Sequence, residues 1–228
     1  PIMKTPVVDY TKVRLSNIRE PQYRHLLLLL GWVVYFALYF LTENLIPAEK
    51  CHPVHCFLDD IIPFNEVFVI FYVSWFFLIA ASLLYFLLYR VESFKRLQIY
   101  IMITQALAMI AYIVYPSRQD LRPLVMPREN IFTWILAFIY DFDTSTGVCP
   151  SLHVAYSLGI ASTWLHDRTV PKVYSIAVTI LCLIICISVA FVKQHSTVDI
   201  FAAIPVCLIA EWFVFIRPKR KNKCAQNA

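Results

Sequence analysis

Glycine is nearly absent from this chain, with three in 228 residues. They are too few for a glycine-rich loop that cradles nucleotide phosphates. Charge is thin as well: charged residues make up 15% of the sequence, against about a quarter in soluble domains. No short apolar stretch ending in a small-residue cleavage site follows Pro1, so no removable leader is expected here. Nor do the seven cysteines make a disulfide framework. Cys182, Cys186 and Cys207 fall in apolar runs, where a thiol behaves as a small hydrophobic group, and Cys224 lies in the basic tail. Only Cys51, Cys56 and Cys149 are placed to meet an oxidising exterior. No internal repeat is visible, and the length fits a single domain over residues 1–228.

What the chain has is apolar length. Hydrophobic residues account for 60% of it, and a helix needs roughly 20 apolar residues to cross the hydrocarbon. Six stretches approach that, at about 25–45, 68–89, 97–115, 151–165, 173–192 and 198–216. The fourth is short and carries His153 and Gly159. These predict an all-α, six-transmembrane-helix bundle, because backbone exposed to lipid must satisfy its own hydrogen bonds.

Basic residues set the orientation. Lys4, Lys12, Arg14, Arg19 and Arg24 precede the first stretch. Arg90, Lys95 and Arg96 join the second to the third, Arg168 and Lys172 join the fourth to the fifth, and Arg217, Lys219, Arg220, Lys221 and Lys223 follow the sixth. The opposite loops hold only Lys50, Arg118, Arg122, Arg128 and Lys193. Fifteen against five puts the termini in the cytoplasm and loops 43–67, 116–150 and 193–197 outside, with the plasma membrane the expected location. A net charge of +5 fits membrane lipids with anionic headgroups as partners and calls for no nucleic acid.

Ionisable groups at membrane depth are costly and mark function. Here they gather at the outer ends: His153 in the fourth stretch, Lys193, His195 and Asp199 around the start of the sixth, and Arg118, Asp120, Arg122, Asp141 and Asp143 in loop 116–150. Glu211, near the inner end, is read as a partner for nearby basic side chains. His195 and Asp199 are four apart and share a helical face. A carboxylate there fixes the imidazole tautomer and frees the other nitrogen for attack; a capped helix start is the plainer reading of that spacing alone. Ser151, after Pro150, is a candidate N-cap, and the amides of such a start favour phosphate. His153 on that first turn is placed to protonate a departing oxygen. Arg122, directed by Pro123, offers the planar fork that suits phosphate oxygens.

Together these segments resemble the type 2 phosphatidic acid phosphatase superfamily, whose motifs run K-x6-R-P, P-S-x-H and S-R-x5-H-x3-D. The chain has Arg122-Pro123, then Pro150-Ser151-Leu152-His153, then Ser188 with His195 and Asp199. It departs from the pattern at Tyr115 and Val189, where the family has cations; Arg118 and Lys193 are the local replacements. The P-S-L-H and K-Q-H-S-T-V-D forms also look like the branch containing inositol phosphorylceramide synthases. The resemblance implies a metal-independent lipid phosphatase without cofactor. His195 would be the nucleophile, Asp199 its orienter and His153 the general acid, with Arg122, Lys193, Ser151 and Arg118 on the phosphoryl oxygens. The implied substrates are lipid phosphate esters or anhydrides of the phosphatidic acid or polyprenyl pyrophosphate type. Headgroup transfer to an alcohol is one alternative, and a non-enzymatic membrane protein with a decayed site is another.

Three other features carry weaker expectations. Cys51-His52-Pro53-Val54-His55-Cys56 crowds four metal donors together, too tightly for one tetrahedral zinc site; a Cys51–Cys56 disulfide or ordinary loop chemistry is preferred. Asp59-Asp60 reads as a polar turn. Residues 129–140 predict an interfacial helix, with Trp134 and Tyr140 at headgroup level, over a lateral path for a lipid tail.

Overall fold

The first two α-helices each stop one residue short of a proline. A computed structural model describes residues 5–218; Lys4, Lys219, Arg220, Lys221, Lys223 and Cys224 lie outside the described residues. A 3-10 helix at Arg24–Leu29 runs directly into α1 (Leu30–Leu45), which ends at Ile46, extended (φ −111°, ψ 98°) ahead of Pro47, as a residue before proline tends to be. A short α2 (Phe57–Ile61) stops likewise at Ile62, ahead of Pro63. Then α3 (Val69–Tyr89) and α4 (Val91–Val114) form a hairpin broken only at Arg90. Two-residue strands β1 (His52–Pro53) and β2 (Ser117–Arg118) pair in parallel, His52 opposite Ser117. The chain continues through α5 (Ile131–Phe142), α6 (Leu152–His166), α7 (Lys172–Phe191) and α8 (Thr197–Glu211). Pro205 sits inside α8, which runs on into a π-helical turn at Trp212–Ile216.

Among the described residues, five helical segments are long and apolar enough to cross a membrane: Arg24–Leu45, Glu66–Tyr89, Val91–Val114, Lys172–Phe191 and Thr197–Ile216. The fold is therefore an all-α bundle of membrane type. One boundary differs from expectation: α4 starts at Val91, six residues before the apolar run, because Glu92, Lys95 and Arg96 extend the helix beyond the hydrocarbon. The 15 residues of α6 reach about 22 Å at 1.5 Å per residue, short of a hydrocarbon core of about 30 Å.

That short helix is the centre of the bundle. It packs against α3, α4, α7 and α8, with Val154, Ala155, Tyr156 and Ile160 buried. Gly159 is required where it meets α4, since a Cβ there would sit 2.5 Å from Tyr100 Cδ1. Polar side chains tie the helices together, as small hydroxyls and amides do in membranes. Trp164 Nε1 donates to Ser82 Oγ (3.1 Å), Trp32 Nε1 to Gln98 Oε1 (3.1 Å) and Tyr100 Oη to the Cys207 carbonyl (3.4 Å). Glu211 accepts from Ser162 Oγ at 2.6 Å and lies 3.8 Å from His166 Nδ1, so its close partner is a hydroxyl, with the histidine as its basic neighbour.

Candidate functional site

The starts of α6 and α8 meet at one end of the bundle, where the Ser151 N–H donates to the Asp199 carbonyl at 3.1 Å. Each start is capped by a serine. Ser151 Oγ accepts from Val154 N (3.5 Å), and Ser196 Oγ accepts from Val198 N (3.2 Å). Asp199 completes the second cap, its Oδ2 taking the Ser196 N–H at 3.0 Å. The same oxygen lies 3.2 Å from His195 Nδ1, so one carboxylate holds both the helix start and the imidazole. Asp199 is fully buried and His195 is 9% exposed. With Nδ1 committed, Nε2 carries the free lone pair.

The second imidazole stands beside the first. The His153 and His195 ring centroids are 5.7 Å apart, with planes at 62°. His153 lies nearly parallel to Tyr72 (4.4 Å) and Trp75 (4.0 Å) of α3. Its Nε2 is buried without a hydrogen-bond partner among the described residues. The two aromatic faces fix the orientation of the imidazole.

Arg122 reaches this pair through Gln194. Its Nε and Nη2 donate to Gln194 Oε1 (3.1 and 2.6 Å), its Nη1 to the carbonyls of Tyr140 and Asp143 (3.1 and 2.9 Å), and Nη2 also to Thr144 O (3.0 Å). The guanidinium lies over the Tyr140 ring at 4.7 Å. Gln194 Nε2 in turn donates to Tyr72 Oη at 3.4 Å, closing a path from Arg122 to the ring that stacks on His153. Burial pushes the Asp143 carboxyl above its ordinary range; Arg122 and His195 oppose that shift and Glu43 adds to it. The Cys149 thiol is pushed up to about 12, by burial and by the charge of Asp199.

Two expected phosphate ligands are turned elsewhere. Lys193 is buried, its Nζ donating to the carbonyls of Asp59 (2.8 Å) and Ile62 (2.6 Å). Burial lowers its pKa, against the raising charges of Asp59 and Asp60. Its backbone is left-handed (φ 52°), an unfavourable conformation for a residue with a Cβ. Arg118 bonds Asp120 (3.2 Å) and the Ala48 carbonyl (3.1 Å) beside the β1–β2 pair. Sequence order placed both near the histidines, but the carbonyls of Ala48, Asp59 and Ile62 and the carboxylate of Asp120 take them. Ser151 is fully buried at its cap.

Asp59 is the residue that the sequence reading missed. It is 4% exposed, not part of a solvated turn. Its Oδ2 accepts from Ser196 Oγ (2.5 Å) and Cys56 N (2.9 Å), and its Oδ1 from Thr197 N (2.8 Å) and Thr197 Oγ1 (2.9 Å). Burial alone would raise its pKa, but the bonds from Ser196, Thr197 and Cys56 outweigh that and lower it. Asp60 is exposed and pairs with His55 at 2.9 Å. Of the two readings of Cys51 and Cys56, a bridge or ordinary loop residues, the structure has free thiols: Cys51 Sγ turns to Pro47 O (3.7 Å) and Cys56 Sγ to Thr197 Oγ1 (2.9 Å). His52 stacks on Tyr115, which disperses the four donors of that hexapeptide. On α5, Trp134 is exposed, whereas Tyr140 turns inward, its hydroxyl donating to Val192 O at 2.5 Å.

No family model, no curated protein and no solved structure matches the chain.

Proposed function

We propose that this chain is an integral membrane enzyme that hydrolyses lipid phosphate monoesters or diphosphates through a phosphohistidine on His195, without a metal. One observation carries the reading. Two imidazoles stand 5.7 Å apart, one oriented by a buried carboxylate, the other with an unpartnered buried nitrogen. His195 Nε2 gives its lone pair to phosphorus. The bond from phosphorus to the lipid oxygen breaks, and that oxygen leaves with the proton of His153. Water then attacks the phosphohistidine, returns a proton to His153 and frees inorganic phosphate. Asp199 stabilises the positive charge that His195 acquires. Arg122 supplies charge at the phosphoryl group, an incoming oxygen replacing one of its carbonyl partners.

In this reading α6 is the sixth membrane-embedded helix, the site faces outside at the plasma membrane, and the termini are cytoplasmic. The one-sided distribution of basic residues supports that orientation. A second reading, transfer of the headgroup to a lipid alcohol, is favoured by the burial of Asp199 and His195, which limits the approach of water.

The test is turnover of a panel of lipid phosphates by purified protein, measuring released phosphate and acceptor-dependent headgroup exchange separately. His195→Ala is expected to lose at least about 1,000-fold in kcat and all acid-labile phosphoprotein, on the scale of other nucleophile removals. Substantial turnover by that variant would refute the covalent route. Inactivity of the folded parent across the panel would remove the enzymatic reading itself.

A further inference from the structure

The end of the bundle opposite His153 and His195 carries an open cleft of about 540 Å³, within the range of small-molecule sites. It lies between the α3–α4 hairpin and the turn after α6. Val7, Tyr89 and Val91 give it apolar walls, and Arg90, Lys95, Arg96 and Arg168 bring four cations to it. Two carboxylates also line it, and both are engaged. Glu92 pairs with Lys95 at 2.7 Å. Asp167 accepts from Ser93 Oγ (2.7 Å), Thr169 N (3.0 Å) and the Thr169 hydroxyl. Arg96 and Arg168 have no carboxylate or carbonyl partner among the described residues. The first turn of α4, a 24-residue helix, opens into the same cleft with the positive end of its dipole.

We propose that this cleft binds the phosphate-bearing headgroup of an anionic membrane lipid, held by Arg96 and Arg168. An inorganic anion would use the cations alone. The apolar walls add a surface that only a lipid's glycerol backbone and upper chain would cover, and the site lies where a helix leaves the hydrocarbon. Basic pockets between membrane helices bind anionic headgroups in this way. The proposal is independent of the catalytic reading, because it uses no residue of the histidine site.

The test uses the full chain carrying His195→Ala, so that no lipid is turned over. Detergent-purified protein is titrated with phosphatidylglycerol, phosphatidylcholine and inorganic phosphate, and bound lipid is counted by native mass spectrometry. Phosphatidylglycerol is expected to bind in preference to phosphatidylcholine. R96Q/R168Q is expected to bind it about 25-fold more weakly, two charges each worth about fivefold at an anionic surface. Glu92→Gln, which frees Lys95, is expected to bind it more tightly, a change of opposite sign that misfolding would not produce. Equal retention of both lipids, or undiminished binding by a folded double variant, would overturn the proposal. So would displacement of the lipid by millimolar phosphate, which would make this a site for free anions.

Discussion

Asp59 lies 137 positions before Ser196, yet its carboxylate takes the Ser196 hydroxyl as well as the N–H and hydroxyl of Thr197. It touches no reacting atom in the proposed chemistry; it holds the turn from which His195 projects. Asparagine in its place keeps the shape but sets an amide donor against a donor. The expected outcome for Asp59→Asn is a fall in kcat of about 100-fold per folded molecule, as for a misplaced catalytic group, with KM within about twofold. A parallel loss of folded protein and of KM would instead assign Asp59 a purely structural role. Asp143 gives a prediction with a pH sign. Its carboxyl pKa is raised, mainly by burial, so the folded state holds its proton more tightly than the unfolded chain does. Its contribution to stability is full below the ordinary carboxylate range and is lost as pH rises through the raised value. Asp143→Asn should therefore melt higher than the parent at neutral pH and match it in acid; a gap that widens in acid would reverse the sign. The contact of His195 with Asp199 was legible because the two lie four apart on one helix, whereas the approach of His153 to His195 comes only from packing. The sequence hid Asp59, whose partners are distant in the chain, and it does not say which way the ammonium of Lys193 turns, here to the carbonyls of Asp59 and Ile62.

Among the elements, α6 was the hardest to read and is the most constrained. Hydropathy weighs lipid-facing area, whereas α6 faces mostly protein and carries Ser157, Ser162 and Thr163, whose hydroxyls bond within the helix or to Glu211. Its packing depends on Gly159, because Tyr100 of α4 fills the space a side chain would occupy. Gly159→Leu should cost more than the roughly 1–3 kcal/mol typical of an overpacked core, since Tyr100 is itself pinned to the Cys207 carbonyl. The midpoint of thermal aggregation in detergent checks this. A Tyr100→Ala change, which opens room, should restore part of the loss if the clash is the cause. The long helices were legible nearly to the residue, because each is an apolar run bounded by polar residues or by a proline such as Pro47, Pro116 or Pro171. The start of α4 was not, since a polar first turn is as helical as an apolar one but leaves no hydropathic trace.

At the scale of the whole molecule, two chemical ends face each other across the apolar bundle. One gathers His153, His195, Asp199 and Arg122 under loop 116–150; the other gathers Arg90, Lys95, Arg96 and Arg168. That asymmetry follows from the sequence alone, because charges are expelled to helix ends and the end each reaches is set by counting helices. The aromatic shelf of Tyr72 and Trp75 under His153 does not, since only packing brings α3 beneath the start of α6. If basic residues fix the orientation, the two ends must lie on opposite sides of the membrane. Leu124, in loop 116–150, is fully exposed, and Arg168 is exposed in the turn after α6. A cysteine at Leu124 should therefore react with a membrane-impermeant maleimide in intact cells, read against the unsubstituted chain. A cysteine at Arg168 should react only after permeabilisation. The native Cys149, its thiol held neutral by a pKa of about 12, should stay nearly silent in both conditions, because the thiolate is the reactive form. Labelling of both introduced cysteines from the same side would mean that α6 does not cross, and the histidine site would then need a different face of the membrane.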